Sequence, residues 1–110
     1  MALLGIDIGG TKLALAILSD EGKILYKDTA ALENRKGSEV GKLITDRVIS
    51  MIASGESSGN NINSIGISVP GISHVASGPV WAPHIAGWDD YHLLAEVQSV
   101  CGRIPVTIDS

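Results

Sequence analysis

The densest chemistry in the sequence is the run Asp7-Ile8-Gly9-Gly10-Thr11-Lys12. Asp7 lies near the end of a short apolar stretch in which Leu4, Ile6 and Ile8 share one face of an expected strand over residues 3–8, and the two glycines then break the ladder. A glycine turn followed at once by a second strand brings backbone N–H groups toward one point, and such concavities bind anions. With no side chains at Gly9 and Gly10, a phosphate can approach the backbone closely. Thr11 adds a hydroxyl donor and Lys12 a point charge; Asp7 adds a carboxylate able to hold Mg²⁺, directly or through water, beside the β- and γ-phosphates of a nucleotide. A Gly-Gly pair alone marks an ordinary turn. The succession of acid, glycines, hydroxyl and cation is what points to a phosphate grip. It is not the G-x-x-x-x-G-K-[ST] loop, which seats its phosphate at a helix N-terminus.

The elements that must hold this run follow from periodicity. Residues 13–18, Leu-Ala-Leu-Ala-Ile-Leu, are apolar throughout and predict a second strand covered by helices on each side. Ser19 to Lys23 has the chemistry of a hairpin loop, with Gly22 free to take positive φ, and a third strand runs from Lys23 to Thr29. Val40, Leu43, Ile44, Val48, Met51 and Ile52 recur at spacings that put them on one helical face, with Ser38 as N-cap and Gly55 just past the helix end. After a polar connection, Ser64 to Val69 reads as a strand stopped by Pro70-Gly71. Val75 and Val80 flank Ser77-Gly78 as a small hairpin with Pro79 on an edge. Asp89 or Asp90 caps a second helix whose apolar face is Leu93, Leu94, Val97, Val100 and Cys101, closed by Gly102 before Pro105 opens the last strand, Val106 to Asp109. The order is β-β-β-α-β-hairpin-α-β, an α/β pattern.

Composition narrows the function classes. At 110 residues and 45% hydrophobic, the chain buries one core and is too short for two ordinary domains. A formal net charge of −4 offers no basic stripe for a phosphate backbone, so nucleic acid is not an expected partner. Cys101 is the single cysteine, which rules out an intramolecular disulfide. The start lacks a basic segment and meets Asp7 before a signal-length apolar run develops, and no stretch approaches the ~20 apolar residues of a membrane span. A cytoplasmic protein without membrane contact is the expectation.

Ile6-Asp7-Ile8-Gly9-Gly10-Thr11-Lys12 resembles the first phosphate motif of the actin and hexokinase superfamily, and the chain looks closest to its ROK family of sugar kinases and sugar-responsive repressors. Three further stretches agree in order. Ile65-Gly66-Ile67-Ser68-Val69-Pro70-Gly71 is similar to the family's Gly-x-Gly-x-Pro-Gly strand end. Trp81-Ala82-Pro83-His84-Ile85-Ala86-Gly87-Trp88 is similar to its Ala-Pro-Asn-Leu-x-Gly-Trp segment, and Ile104-Pro105-Val106-Thr107-Ile108-Asp109-Ser110 to the start of its Pro-Val-x-Val-Glu-Asn-Asp motif.

The resemblance implies a ribonuclease-H-like, actin-like ATPase lobe spanning residues 1–110. Its five-stranded mixed sheet would have strand order 3-2-1-4-5 (hairpin uncounted), helices on both faces, a small hairpin, and a cleft shared with a C-terminal lobe outside this stretch. It implies ATP and Mg²⁺ as cofactors, a hexose as the second small-molecule partner, a homodimeric parent, and a zinc motif that would lie in the C-terminal lobe. Gly71 and His84 take the sugar-facing positions; His84 stands where relatives place Asn, which changes reach and tautomer and leaves the preferred sugar open. Asp109 falls on the family's Glu, so the general-base Asp is expected immediately after Ser110; Asp109 itself serves only if the register slips. On that register the 110 residues alone are expected to be inactive. Trp88 reads as a packing anchor and Cys101 as core. The expected activity is transfer of the ATP γ-phosphoryl group to a hexose hydroxyl, as in a glucokinase. The alternative is a sugar-sensing regulator lobe without kinase activity, although such proteins carry a helix-turn-helix ahead of this lobe and often lose the phosphate motif.

Overall fold

Leu4, Ile6 and Ile8 alternate with Leu3, Gly5 and Asp7, and a period of two sends one set into a core and the other to the opposite face of a sheet. In the computed structural model, which describes residues 1–69, 72–73, 80–81, 88 and 91–109, this alternation organises the whole molecule. The elements are β1 (Ala2–Ile8), β2 (Lys12–Ser19), β3 (Ile24–Ala31), α1 (Ser38–Ser57), β4 (Ile62–Ser68), β5 (Ile72–Ser73), β6 (Val80–Trp81), α2 (Leu93–Cys101) and β7 (Val106–Asp109). Five strands form a mixed sheet in the order β3-β2-β1-β4-β7, and β5 and β6 form a separate two-stranded hairpin. Strands β1, β4 and β7 are parallel; β2 runs antiparallel to both β1 and β3. This is the strand order expected from the sequence, with β7 as the fifth strand of the sheet.

One face of the sheet carries the core. Leu4 and Ile8 of β1, Leu13 and Leu15 of β2, and Ile65 of β4 are buried together with Ile44 and Val48 of α1 and Leu93 and Val97 of α2. Each such aliphatic side chain contributes roughly 1.5–3 kcal/mol by leaving water. Both helices lie on this face and pack against each other. The expectation of helices on both faces is therefore corrected: among the described residues the opposite face carries none. The same correction applies to β2, where Leu13, Leu15 and Ile17 are buried but Ala14, Ala16 and Leu18 are only half-buried on the open side. A run apolar at every position does not reveal which side a helix takes, and here alanine supplies the second face.

Boundary residues moved for local reasons. Ser38 is the first residue of α1, not its cap; Gly37, at φ 49°, occupies the cap position, and no side chain caps the helix. Gly55 lies inside the last turn, where a Cβ would come within 2.5 Å of the Asn60 carbonyl oxygen, so glycine serves close packing there and not a positive φ. The third strand begins at Ile24 and runs on to Ala31, past the expected Thr29. Gly22 (φ 82°) and Gly102 (φ 64°) take the left-handed conformations expected of them. Helix α2 starts at Leu93 with His92 before it, later than the expected cap at Asp89 or Asp90. Those two aspartates lie outside the described residues, as do Val75, Ser77, Gly78 and Pro79.

Arg47 of α1 donates to Asp28 of β3 at 2.7 Å, tying the helix to the sheet edge. Both side chains stay about a third exposed, 38% and 32%, so the pair contributes little beyond the ~0.2–1 kcal/mol typical of solvated ion pairs. Arg47→Met is expected to lower unfolding free energy by no more than ~1 kcal/mol in urea titrations, and less at high salt.

Candidate functional site

The parallel strands β1, β4 and β7 end together, and their last outward-facing residues stand in one row: Asp7 pairs in register with Ser68, and Ser68 with Asp109. All three are exposed on the open face, because Ile6, Ile8, Ile67 and Ile108 take the buried side. Adjacent strands lie about 4.8 Å apart, so the backbones of the two aspartates are separated by roughly 10 Å with a serine hydroxyl between them. Ser68 was not singled out in the sequence; its parity with Asp7 and Asp109 was the available signal. Below this row the face is floored by small residues. Gly5 pairs with Gly66 and Ala16 lies beside Gly5, which leaves an open depression of about 590 Å³ bordered at its upper end by Asp7, Ser68 and Asp109.

Beside the row, β1 turns into β2. Gly9 donates its N–H to the Lys12 carbonyl at 2.8 Å and closes the hairpin, and Leu32 donates to the Thr11 carbonyl at 2.8 Å, pinning the tip against the end of β3. A Cβ on Gly9 would lie 3.0 Å from the Lys12 oxygen, so a side chain there would crowd this closure. The Gly9 N–H is thus spent inside the turn. Among the described residues, the N–H groups of Gly10 and Thr11 meet no protein acceptor, and both residues are exposed with Lys12 beside them. The tip therefore presents two backbone donors, a hydroxyl and an ammonium in the turn that follows Asp7, a set suited to a phosphate and its counter-ion.

The residues present fit Mg²⁺ in a particular way. No cluster of three or more His, Cys, Asp or Glu forms a metal cage among the described residues. Mg²⁺ prefers one or two carboxylates plus waters and substrate phosphates, and exposed Asp7 next to the hairpin tip would suit that arrangement. Pro70, Gly71, His84 and Ser110 lie outside the described residues.

The edge bearing the site has a second anchor. Trp88 is fully buried, its indole N–H donates to the Gly37 carbonyl at 3.0 Å, and its ring stacks on Tyr91 with centroids 4.4 Å apart and planes 4° from parallel. The packing role expected of Trp88 is the one it has. The Tyr91 hydroxyl donates to Glu96; burial, then the hydrogen bond and charge of Glu96, push its pKa up, so it stays a protonated donor. Neither Tyr91 nor Glu96 stood out in the sequence. Cys101 is buried and donates toward the carbonyls of Gln98 and Ile104, and burial raises its thiol, as suits a core position.

A mixed 3-2-1-4 sheet with a Gly-Gly-Thr-Lys hairpin at the ends of its parallel strands defines the actin-like kinase lobe of the ribonuclease-H-like folds. The ROK family model matches residues 3–110, and the chain belongs to the ROK family. It is 29% identical over 106 residues to a glucokinase of Thermotoga maritima, covering 94% of this chain and 32% of that protein. Among solved structures it is similar to a ROK family glucokinase from Streptomyces griseus in complex with glucose and AMPPNP, at 30% identity and a TM-score of 0.77 over 100% of this chain and 33% of that one. It also superposes on a ROK family transcriptional regulator, a homologue of the Escherichia coli MLC protein, with a TM-score of 0.86 over 97% of this chain and 27% of that one. At 19% identity that likeness concerns the fold alone. The chain spans about a third of the length of the relatives it matches.

Proposed function

We propose that this chain is the phosphate-holding lobe of an ATP-dependent hexose kinase, glucokinase-like in its reaction. The observation that carries the reading is the hairpin tip, where the N–H groups of Gly10 and Thr11 meet no acceptor among the described residues and stand beside exposed Asp7 and Lys12. In this reading Gly9 shapes the turn, while Gly10, Thr11 and Lys12 hold and orient the phosphates of ATP. Asp7 holds Mg²⁺, directly or through water. Held there, Mg²⁺ would supply charge neutralisation for the phosphates, which is most of what phosphoryl transfer needs besides alignment. Gly71 and His84 are assigned to the sugar, and the acceptor hydroxyl loses its proton to an Asp expected immediately after Ser110. The glucokinase relatives support the class of reaction, and the AMPPNP and glucose of the Streptomyces griseus complex are ligands of the kind these residues would take.

The test is hexose-dependent ADP release by the full-length protein, run over a panel of hexoses with and without Mg²⁺. Glucose or a close relative is expected to support turnover, and chelation of the metal to suppress it by at least ~100-fold. Sugar binding without any ADP release would instead identify a sensor lobe of the kind its regulator neighbour represents.

A further inference from the structure

The hairpin tip and the row beside it differ in kind. Gly10 and Thr11 offer backbone N–H groups and Lys12 an ammonium, so the tip is made mostly of donors. Asp7, Ser68 and Asp109 are exposed in register on the open face and supply carboxylate and hydroxyl oxygens. Phosphate oxygens accept hydrogen bonds and are matched by the first set. Mg²⁺ keeps several of its waters, and those waters donate. Apart from the Thr11 hydroxyl, the side chains here that can accept from them belong to the row.

Ser68 stands in the middle of that row. Strand spacing puts its backbone about 4.8 Å from that of Asp7. The ladder holds it there to the strand's end, where the Val69 N–H donates to the Asp109 carbonyl at 2.9 Å, and Ile67 and Val69 are buried on the core side. Among the described residues, neither the Ser68 hydroxyl nor the Asp7 carboxylate has a hydrogen-bond or ionic partner. One step down each strand, Gly5 and Gly66 carry no side chain, and a Cβ on either would meet nothing nearer than 3.6 Å. The space in front of the two groups is therefore open, as an ion that keeps its waters requires.

We propose that Ser68 is a positioning residue for the metal ion, its hydroxyl accepting a hydrogen bond from the ion's water shell while Asp7 supplies the charge. This rests on the reading of Asp7 and the hairpin tip as a Mg²⁺ and nucleotide site. A hydroxyl suits the position because it accepts from water and can turn its own proton toward a carboxylate or phosphate oxygen. A further carboxylate in the same place would repel the phosphates. Ser68 thus adds a second hold on the hydrated ion, from a strand other than the one that carries Asp7.

The test uses the full-length protein with AMPPNP and no hexose, and Mn²⁺ as a paramagnetic probe whose protein-bound fraction is read by electron paramagnetic resonance. Ser68→Ala is expected to weaken Mn²⁺ binding in the ternary complex about three- to tenfold, the loss of one hydrogen bond at a charged site, and to raise the Mg²⁺ concentration for half-maximal ADP release by a similar factor. Ser68→Thr keeps the hydroxyl and should bind Mn²⁺ as the parent does. Thr107→Ala removes a hydroxyl from the same face one step below the row, beside Gly66, and should leave Mn²⁺ binding unchanged. The melting temperature of Ser68→Ala should stay within about 2 °C of the parent, because the side chain is exposed. Parental Mn²⁺ affinity in Ser68→Ala, no rescue by Ser68→Thr, or an equal loss in Thr107→Ala overturns the proposal. So does a parent that forms no ternary complex with Mn²⁺ and AMPPNP. If the parent binds both in this Ser68-dependent way but phosphorylates no hexose, the kinase reading fails and the role of Ser68 stands.

Discussion

Asp7→Ala in the full-length protein is expected to lower kcat for hexose phosphorylation by at least 10²–10³-fold while leaving the fold intact. The magnitude follows from removing one preorganised charge from a site where transfer depends on positioning and charge neutralisation, a loss of about 3–4 kcal/mol in the transition state. The fold is spared because the Asp7 side chain is exposed on the open face, whereas its neighbours Ile6 and Ile8 carry the packing. Truncating a solvated side chain of this kind changes stability by no more than ~0.5 kcal/mol. Asp7→Asn keeps the shape and loses the charge, so it should fall nearly as far if the carboxylate acts on the metal. Steady-state ADP release and a thermal melt of each variant check the two halves of the statement. Turnover by Asp7→Ala within twofold of the parent would remove Asp7 from the mechanism.

The largest effect on stability is expected at Trp88. It heads the fully buried side chains and touches both helices' ends through Gly37 and Tyr91. Trp88→Ala is expected to cost about 3–5 kcal/mol, the sum of lost burial and the cavity left behind. Against a typical 5–15 kcal/mol for a domain, that is a large share. Trp88→Phe separates the contributions: it retains an aromatic stack on Tyr91 but leaves the Gly37 carbonyl without its donor, for a cost of roughly 1–3 kcal/mol. Urea unfolding monitored by far-ultraviolet circular dichroism measures both. A loss below ~1 kcal/mol for Trp88→Ala would mean that the anchor is not an anchor.

Local signals were legible where local physics decides. Alternation over Leu4, Ile6 and Ile8 gave β1 its buried side, the spacing of Val40, Ile44, Val48 and Met51 gave α1 its buried stripe, and Gly22 and Gly102 marked turns that need positive φ. The helix caps were less legible. Ser38 and Gly55 have the right residue types for helix ends, but the backbone at Gly37 and the close approach of Asn60 to Gly55 set the actual limits. Both are backbone geometries within a few residues of the helix end, which residue type alone does not encode.

The sequence by itself determined the candidate phosphate run, since Asp7 through Lys12 are contiguous and a hairpin between two strands needs no distant partner to form. It also determined the order of elements and, through its resemblance, the family. Only the tertiary structure decided what stands beside that run. Asp109 and Ser68 join Asp7 in one row because three parallel strands far apart in the chain share a register, and a register is fixed by long-range pairing. Likewise, both helices fall on one face, and Tyr91, Glu96 and Gly41 meet only once α1 and α2 pack together. Contiguous residues can announce a binding motif, but the neighbours that orient it are chosen by packing.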